Sequence, residues 1–223
     1  MQSQTASAIK NILCFGDSLT WGWDPTAQGV PVERYPYAER WTGAMGAALG
    51  DGFHVIEEGL NGRTTDRDDP IDPRLNGSTY LPSALASHLP LDLVIVMLGT
   101  NDTKPYLNRS AFDIATGMAV LLGQIAGSAG GIGTAYPAPQ TLLIAPPPLA
   151  AIPNPWFDEL FKGGVEKSTE LARHYQALAA FYGAEFLNAG DYITTDGVDG
   201  IHLTAKANVT LGKAVAAKVK TIL

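Results

Sequence analysis

Four short blocks of this chain hold side chains that could together carry out nucleophilic acyl chemistry: Gly16-Asp17-Ser18-Leu19, the loop from Gly59 to Thr64, Gly99-Thr100-Asn101-Asp102, and Asp199-Gly200-Ile201-His202. A serine hydroxyl is a weak nucleophile until a base takes its proton. A histidine can do so near neutral pH, provided that a carboxylate holds its ring and stabilises the imidazolium that forms. Asp199 and His202 are three residues apart with Gly200 between them. A tight loop at that spacing can set the carboxylate against one ring nitrogen and leave the other for Ser18. The oxyanion of a tetrahedral intermediate needs preorganised donors. Candidates are the backbone N–H of Ser18, the backbone N–H of Gly62 and the side-chain amide of Asn101. Gly62 suits the role because a residue without Cβ lets backbone approach a substrate closely.

Neighbouring residues compete for these roles. Asp17 adjoins the nucleophile, but adjacent side chains diverge, and its carboxylate is expected to bond the backbone of the turn. Asp102 reads as structural. His54 falls in an expected strand, His174 on a helix and His88 before Leu89-Pro90 near a helix end, all at surface or structural positions. Asp196 is six residues from His202 and fits the loop less well than Asp199. Candidates for the substrate pocket are Asp17, Leu19, Thr20, Trp21, Trp23 and Ile201. For Trp21 and Trp23 two readings stand: core packing, or an apolar wall that keeps water from an acyl-enzyme so that an alcohol can compete for the acyl group. The run from Arg63 to Arg74, with Asp66, Asp68, Asp69 and Asp72, is expected to form a solvated, mutually paired loop rather than a metal site. The proposed triad needs neither metal nor cofactor.

Positioning these blocks requires a scaffold. Apolar runs alternate with helical patterns, the signature of βαβ units and a parallel sheet covered on both faces. Strands are expected at Ile12–Phe15, Phe53–Ile56, Leu91–Leu98, Thr141–Ala145 and Glu185–Leu187. Helices are expected at Ala38–Leu49 with Gly50 as its stop, from a Ser110 cap to Ile125, at Lys167–Tyr182, and from a Thr204 cap toward Ile222. Each chemical block follows a strand or precedes the last helix. In an open α/β sheet ligands bind beyond the carboxyl ends of the strands, so the four blocks should share one edge. The expected fold is a three-layer α/β/α sandwich on a mostly parallel five-stranded sheet, flavodoxin-like, as a single domain whose residues 1–10 form a flexible terminus. Trp21–Arg40 and Gly127–Pro139 read as insertions, either surface loops or a pocket wall or subunit contact.

Composition narrows the field. The chain has 223 residues, enough for one large domain, and is 46% hydrophobic with 17% charged, which places it among ordinary globular proteins. Its net charge of −7 and lack of a basic cluster argue against a nucleic-acid partner. The single cysteine, Cys14, sits in an apolar run and is expected in the core. No run has the ~20 apolar residues of a membrane span, and the N-terminus lacks the features of a signal peptide, so a cytoplasmic location is expected. A nucleotide-binding module would need Gly-x-Gly-x-x-Gly or a phosphate-cradling Gly-x-x-x-x-Gly-Lys-Ser/Thr loop, and neither is present. An α/β-hydrolase would need a mid-chain Gly-x-Ser-x-Gly elbow, which is also missing.

In this order the blocks resemble the SGNH (GDSL) hydrolase superfamily, named for its Ser, Gly, Asn and His. The resemblance runs from about Ile12 to the C-terminus. It places the nucleophile on Ser18, the oxyanion residues on Gly62 and Asn101, and the Asp-x-x-His pair on Asp199 and His202. The stretches Leu13 to Trp23, Asp72 to Gly77 and Thr195 to His202 are similar to a bacterial arylesterase/acyltransferase subgroup. That similarity implies hydrolysis of short acyl and aryl esters, with acyl transfer to alcohols and perhydrolysis as side activities. It also implies a homo-oligomer, an octamer by that resemblance, whose subunits shape a narrow apolar channel. The partners would be a small ester and an acyl acceptor: water, an alcohol or peroxide. A carbohydrate acetylesterase, or a lysophospholipase or thioesterase, would use the same site residues.

Overall fold

A computed structural model of the chain describes residues 9–26 and 30–223. Five strands form its sheet: β1 (Lys10–Gly16), β2 (Phe53–Gly59), β3 (Leu93–Met97), β4 (Gln140–Ala145) and β5 (Glu185–Asn188). Their order is β2-β1-β3-β4-β5 and every pairing is parallel. The expected "mostly parallel" sheet is therefore wholly parallel, in the flavodoxin-like order whose switch point lies between β1 and β3. Of the terminus expected to be flexible, residues 1–8 lie outside the described residues, while Lys10 already pairs with Phe53 and bonds Asp92 at 2.8 Å.

Period-two alternation sorts the strand side chains. Leu13, Phe15, Val94, Val96 and Leu143 enter one core, with α3 (Gly77–Ser87), α4 (Ala111–Ala126) and α6 (Gly164–Tyr182). Ile12, Cys14, Leu93, Ile95 and Leu142 enter the other, with α2 (Trp41–Leu49) and α7 (Ala205–Ile222). Cys14 is fully buried, as its apolar run suggested. With side chains buried on both faces, β1, β3 and β4 read as nearly continuous apolar runs.

Local chemistry sets the helix ends. Ser110 and Asp113 form a reciprocal capping box at α4, and Thr204 accepts a hydrogen bond from the Ala207 amide at α7. The helix expected from Ala38 starts later, at Trp41, because Tyr37–Glu39 forms a 3₁₀ turn and Arg40 is extended. Sequence patterning placed a helix end near His88, where α3 stops, but not the extent of α3, which carries Pro82 inside it. A proline cannot donate to the carbonyl four residues back. That carbonyl, on Ser78, instead accepts from Gln124 Nε2 of α4 at 2.8 Å. Two short helices, α1 (Ser18–Trp21) and α5 (Pro155–Leu160), were also missed. No helix among the described residues is long and apolar enough to cross a membrane.

Candidate active site

Ser18 stands at the first position of α1, directly after β1. Asp17 caps this helix: its Oδ1 accepts from the Leu19 amide at 2.9 Å. Its Oδ2 accepts from Asn101 Nδ2 at 3.3 Å, and the same Asn101 nitrogen donates to the Arg63 carbonyl at 3.2 Å. The Gly16 carbonyl, just before the nucleophile, accepts from the Leu60 amide at 3.1 Å and from Arg63 Nη1 at 2.9 Å. The nucleophile turn, the loop after β2 and the loop after β3 are thus bonded to one another across the ends of adjacent strands.

A second tie joins the two loops that carry the candidate oxyanion donors. Asp102 accepts from the Thr65 amide at 3.0 Å and the Thr65 hydroxyl at 2.6 Å. Arg109 Nη1 reaches Asp102 at 2.6 Å and Asp66 at 2.7 Å. Asp102 is fully buried. Burial pushes its carboxyl up, while the Thr65 bonds and Arg109 pull it down; the net direction is upward. The Arg63–Arg74 run is therefore not the solvated, self-paired loop expected. Only Arg74–Asp72 fits that description, at 2.6 Å. Arg63 is buried over the Phe15 ring, and Asp69 is buried against Lys104 and Tyr106. Among the described residues no group of three or more His, Cys, Asp or Glu could hold a metal.

The last block lies on the loop before α7. Asp199 Oδ1 accepts from the amides of Ile201 and His202 at 2.9 and 2.8 Å, and Asp199 Oδ2 meets His202 Nδ1 at 2.7 Å. His202 Nε2 is 2.9 Å from Ser18 Oγ. Burial raises the Asp199 carboxyl, but the bonds and charge of His202 and the two amides outweigh it and hold the group below its ordinary value. The loop needs glycine at position 200: φ is +76°, and a Cβ there would sit 2.4 Å from the Ala151 carbonyl oxygen. The Gly200 carbonyl in turn accepts from the Ala150 amide at 2.9 Å, tying the loop to the segment after β4.

These groups line a cavity of about 130 Å³. Ser18, His202, Gly62, Asn101, Thr100 and Lys104 are among its polar and backbone lining. Trp23, Ile201, Phe157, Leu160 and Phe161 supply its apolar lining. Gly62 has φ of +84°, and among the described residues neither its amide nor that of Ser18 is spent on another hydrogen bond. Gly59, the other glycine of that loop, ends β2 against the Trp21 backbone. A nucleophile bonded to a carboxylate-held imidazole, beside two free amides and a side-chain amide, is equipped for acyl transfer.

The pocket candidates divide. Trp23 and Ile201 line the cavity, and the Trp23 indole stacks on the His202 ring at 4.6 Å and 8°. Four do not line it. Asp17 is turned to cap α1, Leu19 is drawn into the core under α2 and α7, and Thr20 is fully buried. Trp21 lies beneath the Arg34 guanidinium, 5.4 Å away. In the insertion from Trp21 to Arg40, residues 27–29 lie outside the described residues. Arg34 and Arg40 fasten the rest to Glu57 of β2 at 2.9 and 2.7 Å. The 127–139 loop takes no part in the cavity. Sequence reasoning missed Lys104, Asn61, Thr100 and the α5 residues. Thr100 and Asn61 adjoin residues it did select, and that adjacency was the available signal.

With this geometry established, relatedness can be stated. The family model of the GDSL-like lipase/acylhydrolases matches residues 14–208. The chain belongs to that family. It is accordingly a carboxylic ester hydrolase. It is 63% identical to Est24, a carbohydrate acetylesterase from Sinorhizobium meliloti, covering 96% of this chain and all of that one, with a TM-score of 0.95. The aryl esterase of M. smegmatis is 60% identical over 96% of this chain and all of its own, with a TM-score of 0.94. An acetylxylan esterase of Xylanibacter ruminicola is 28% identical over 94% of this chain, which spans only 43% of that longer protein.

Proposed function

We propose that the chain is a single-domain serine esterase for short-chain acyl and aryl esters, working through an acyl-enzyme on Ser18. The observation that carries this reading is the continuous relay from Asp199 Oδ2 to His202 Nδ1 at 2.7 Å and from His202 Nε2 to Ser18 Oγ at 2.9 Å, in the wall of a small cavity. Ser18 attacks the ester carbonyl as His202 takes its proton. The amides of Ser18 and Gly62 and the side chain of Asn101 receive the oxyanion. In this structure both Asn101 amide protons face Asp17 and Arg63, so Asn101 must share or exchange one of those bonds as charge develops on the substrate. His202 then protonates the departing alcohol, and a second acceptor repeats the sequence in reverse.

Size supports a short acyl group: about 130 Å³ is less than the ~150 Å³ cavity that admits benzene in another protein. The apolar wall supports acyl transfer to alcohols, and perhydrolysis with peroxide, as side activities, since excluding water lets another acceptor compete. A second reading, a carbohydrate acetylesterase on the same residues, is favoured by the 63% identity to Est24. The homo-oligomer and cytoplasmic location expected from sequence remain part of the proposal, and light scattering reads the first directly. Hydrolysis of p-nitrophenyl acetate by the wild type and Ser18→Ala tests the assignment. Turnover should fall by several orders of magnitude in the variant, and near-wild-type activity would refute it. A panel of acetylated sugars beside aryl acetates separates the two readings.

A further inference from the structure

Two arginines are buried among the described residues, and they are satisfied in different ways. Arg109 is 5% exposed and holds two carboxylates, those of Asp66 and Asp102. Arg63 is 2% exposed and forms no salt bridge among the described residues. Its guanidinium lies over the Phe15 ring of β1, 4.2 Å from the centroid, with the Tyr80 ring of α3 5.4 Å away. Burial lowers the group to about 10, against the opposite pull of Glu58, Tyr80 and Asp17, so it stays charged at neutral pH. A cation taken out of water is costly unless partners compensate it. Here they are aromatic faces and backbone. Nη1 donates to the Gly16 carbonyl at 2.9 Å and also to the Glu58 carbonyl, while the buried Nε has no partner.

These backbone partners lie where the oxyanion donors are placed. Gly16 ends β1 two residues before Ser18, and Glu58 is the next-to-last residue of β2, shortly before Gly62. The β1–β2 ladder runs to the Gly16–Gly59 pair without help from a side chain, so Arg63 acts where the strands stop and the loops begin. Arg63 directly follows Gly62, and its amide closes that turn on the Leu60 carbonyl at 3.1 Å. Its own carbonyl accepts from Asn101 Nδ2 at 3.2 Å. One residue thus touches the segments that carry all three donors, yet it is not part of the cavity lining. We infer that Arg63 is a positioning residue for the oxyanion site, fixing the spacing of the Ser18 amide, the Gly62 amide and the Asn101 side chain. The inference rests on the serine-esterase reading and adds to it a residue that acts through the donors rather than on the ester. Arginine suits the task because its planar head can hold two carbonyls from one nitrogen in a fixed geometry.

Kinetics with p-nitrophenyl acetate test this, on variants shown by near-ultraviolet circular dichroism to be folded. Arg63→Met should lower kcat by about 10²-fold, the scale of an ångström's misplacement of a catalytic group, with KM changed far less. Arg63→Lys keeps a cation able to reach a carbonyl and should lose only about tenfold, the scale of one net hydrogen bond. It carries the test should the methionine variant not fold. A double-mutant cycle supplies a readout that simple destabilisation does not move. If Arg63 works through Asn101, the kcat loss from Arg63→Met should be severalfold smaller in an Asn101→Ala background than in the wild type. Wild-type kcat in a folded variant, a loss confined to KM, or losses at Arg63 and Asn101 that multiply in full would overturn the assignment. Full turnover by Ser18→Ala is a separate result, striking the esterase reading itself.

Discussion

The two sides of the cavity are built differently. The side bearing Ser18, Gly62 and Asn101 comes from the ends of β1, β2 and β3 and is cross-bonded by Asp17, Arg63, Asp102 and Arg109. These hydrogen bonds are buried and, Arg109–Asp102 apart, span 37 to 84 residues of sequence. The apolar lining comes from Trp23 in an insertion, Ile201 before the last helix, and α5 with the residue that follows it. Phe157, Leu160 and Phe161 are held there by apolar contact with Leu149, Ile152 and Ile201. Directional bonds fix donor positions to a fraction of an ångström, which oxyanion stabilisation requires. Apolar packing tolerates volume change more readily. The chemistry should therefore be brittle on one side of the cavity, and selectivity adjustable on the other.

The sharpest way to break this contrast is to change one group on the polar side. Asn101→Ala should lower kcat by about 10²–10³ if its amide stabilises the oxyanion, with KM for p-nitrophenyl acetate changing far less. A loss confined to KM would move Asn101 from the transition state to ground-state binding. Next in size is Arg109→Met, which touches no substrate but leaves buried Asp102 without its cation. Removing one partner of a buried pair costs about 3–5 kcal/mol, so chemical denaturation should register a loss on that scale, and kcat should fall as the loops after β2 and β3 lose register. Retained stability would mean that Thr65 alone suffices to hold Asp102.

On the apolar side, Trp23→Ala should shift the ratio of alcohol transfer to hydrolysis severalfold while the Ser18-dependent reaction survives. Product analysis in mixtures of water and alcohol measures it. An unchanged ratio would remove Trp23 from the water-excluding wall and leave it only its stacking on His202. A separate test concerns Asp17. Burial raises its carboxyl from the ordinary 3.8 to about 7, with Asp102 pushing further up and Leu19, Arg63 and Lys104 opposing. Between those values the folded chain holds a proton that the unfolded chain releases, so stability from this group is fullest below about pH 4 and is lost as pH rises through about 7. Melting temperatures of Asp17→Asn should fall less steeply with pH than those of the wild type over that interval. Parallel profiles would show that Asp17 titrates normally.

The contrast also explains what the sequence made legible. Ser18, Gly62 and Asn101 sit in short contiguous blocks after strands, and Asp199 and His202 in one just before the last helix, where periodicity locates the element and residue type suggests the chemistry. The central strands were readable for the same reason: β1, β3 and β4 are buried on both faces and read as apolar runs. Helix α3 was not, because Gly77, Pro82 and several serines mask its period and its stability depends on a tertiary bond from Gln124. The Arg63–Arg74 run was misread because charges suggest solvent unless their distant partners, such as Arg109 and Lys104, are known. The wall from α5 is invisible in sequence, since Phe157, Leu160 and Phe161 have the spacing of any amphipathic turn. Asp17, Leu19, Thr20 and Trp21 were chosen by adjacency to Ser18, yet within a helical turn most neighbours of a residue point elsewhere.

The central claim is that Ser18 is the activated nucleophile of this cavity. Intact mass spectrometry after treatment with a fluorophosphonate, on the wild type and Ser18→Ala side by side, tests it most directly. The account predicts one adduct per wild-type chain, formed together with loss of esterase activity, and none on the variant. A wild type that remains unlabelled, or a variant labelled to the same extent, would contradict it.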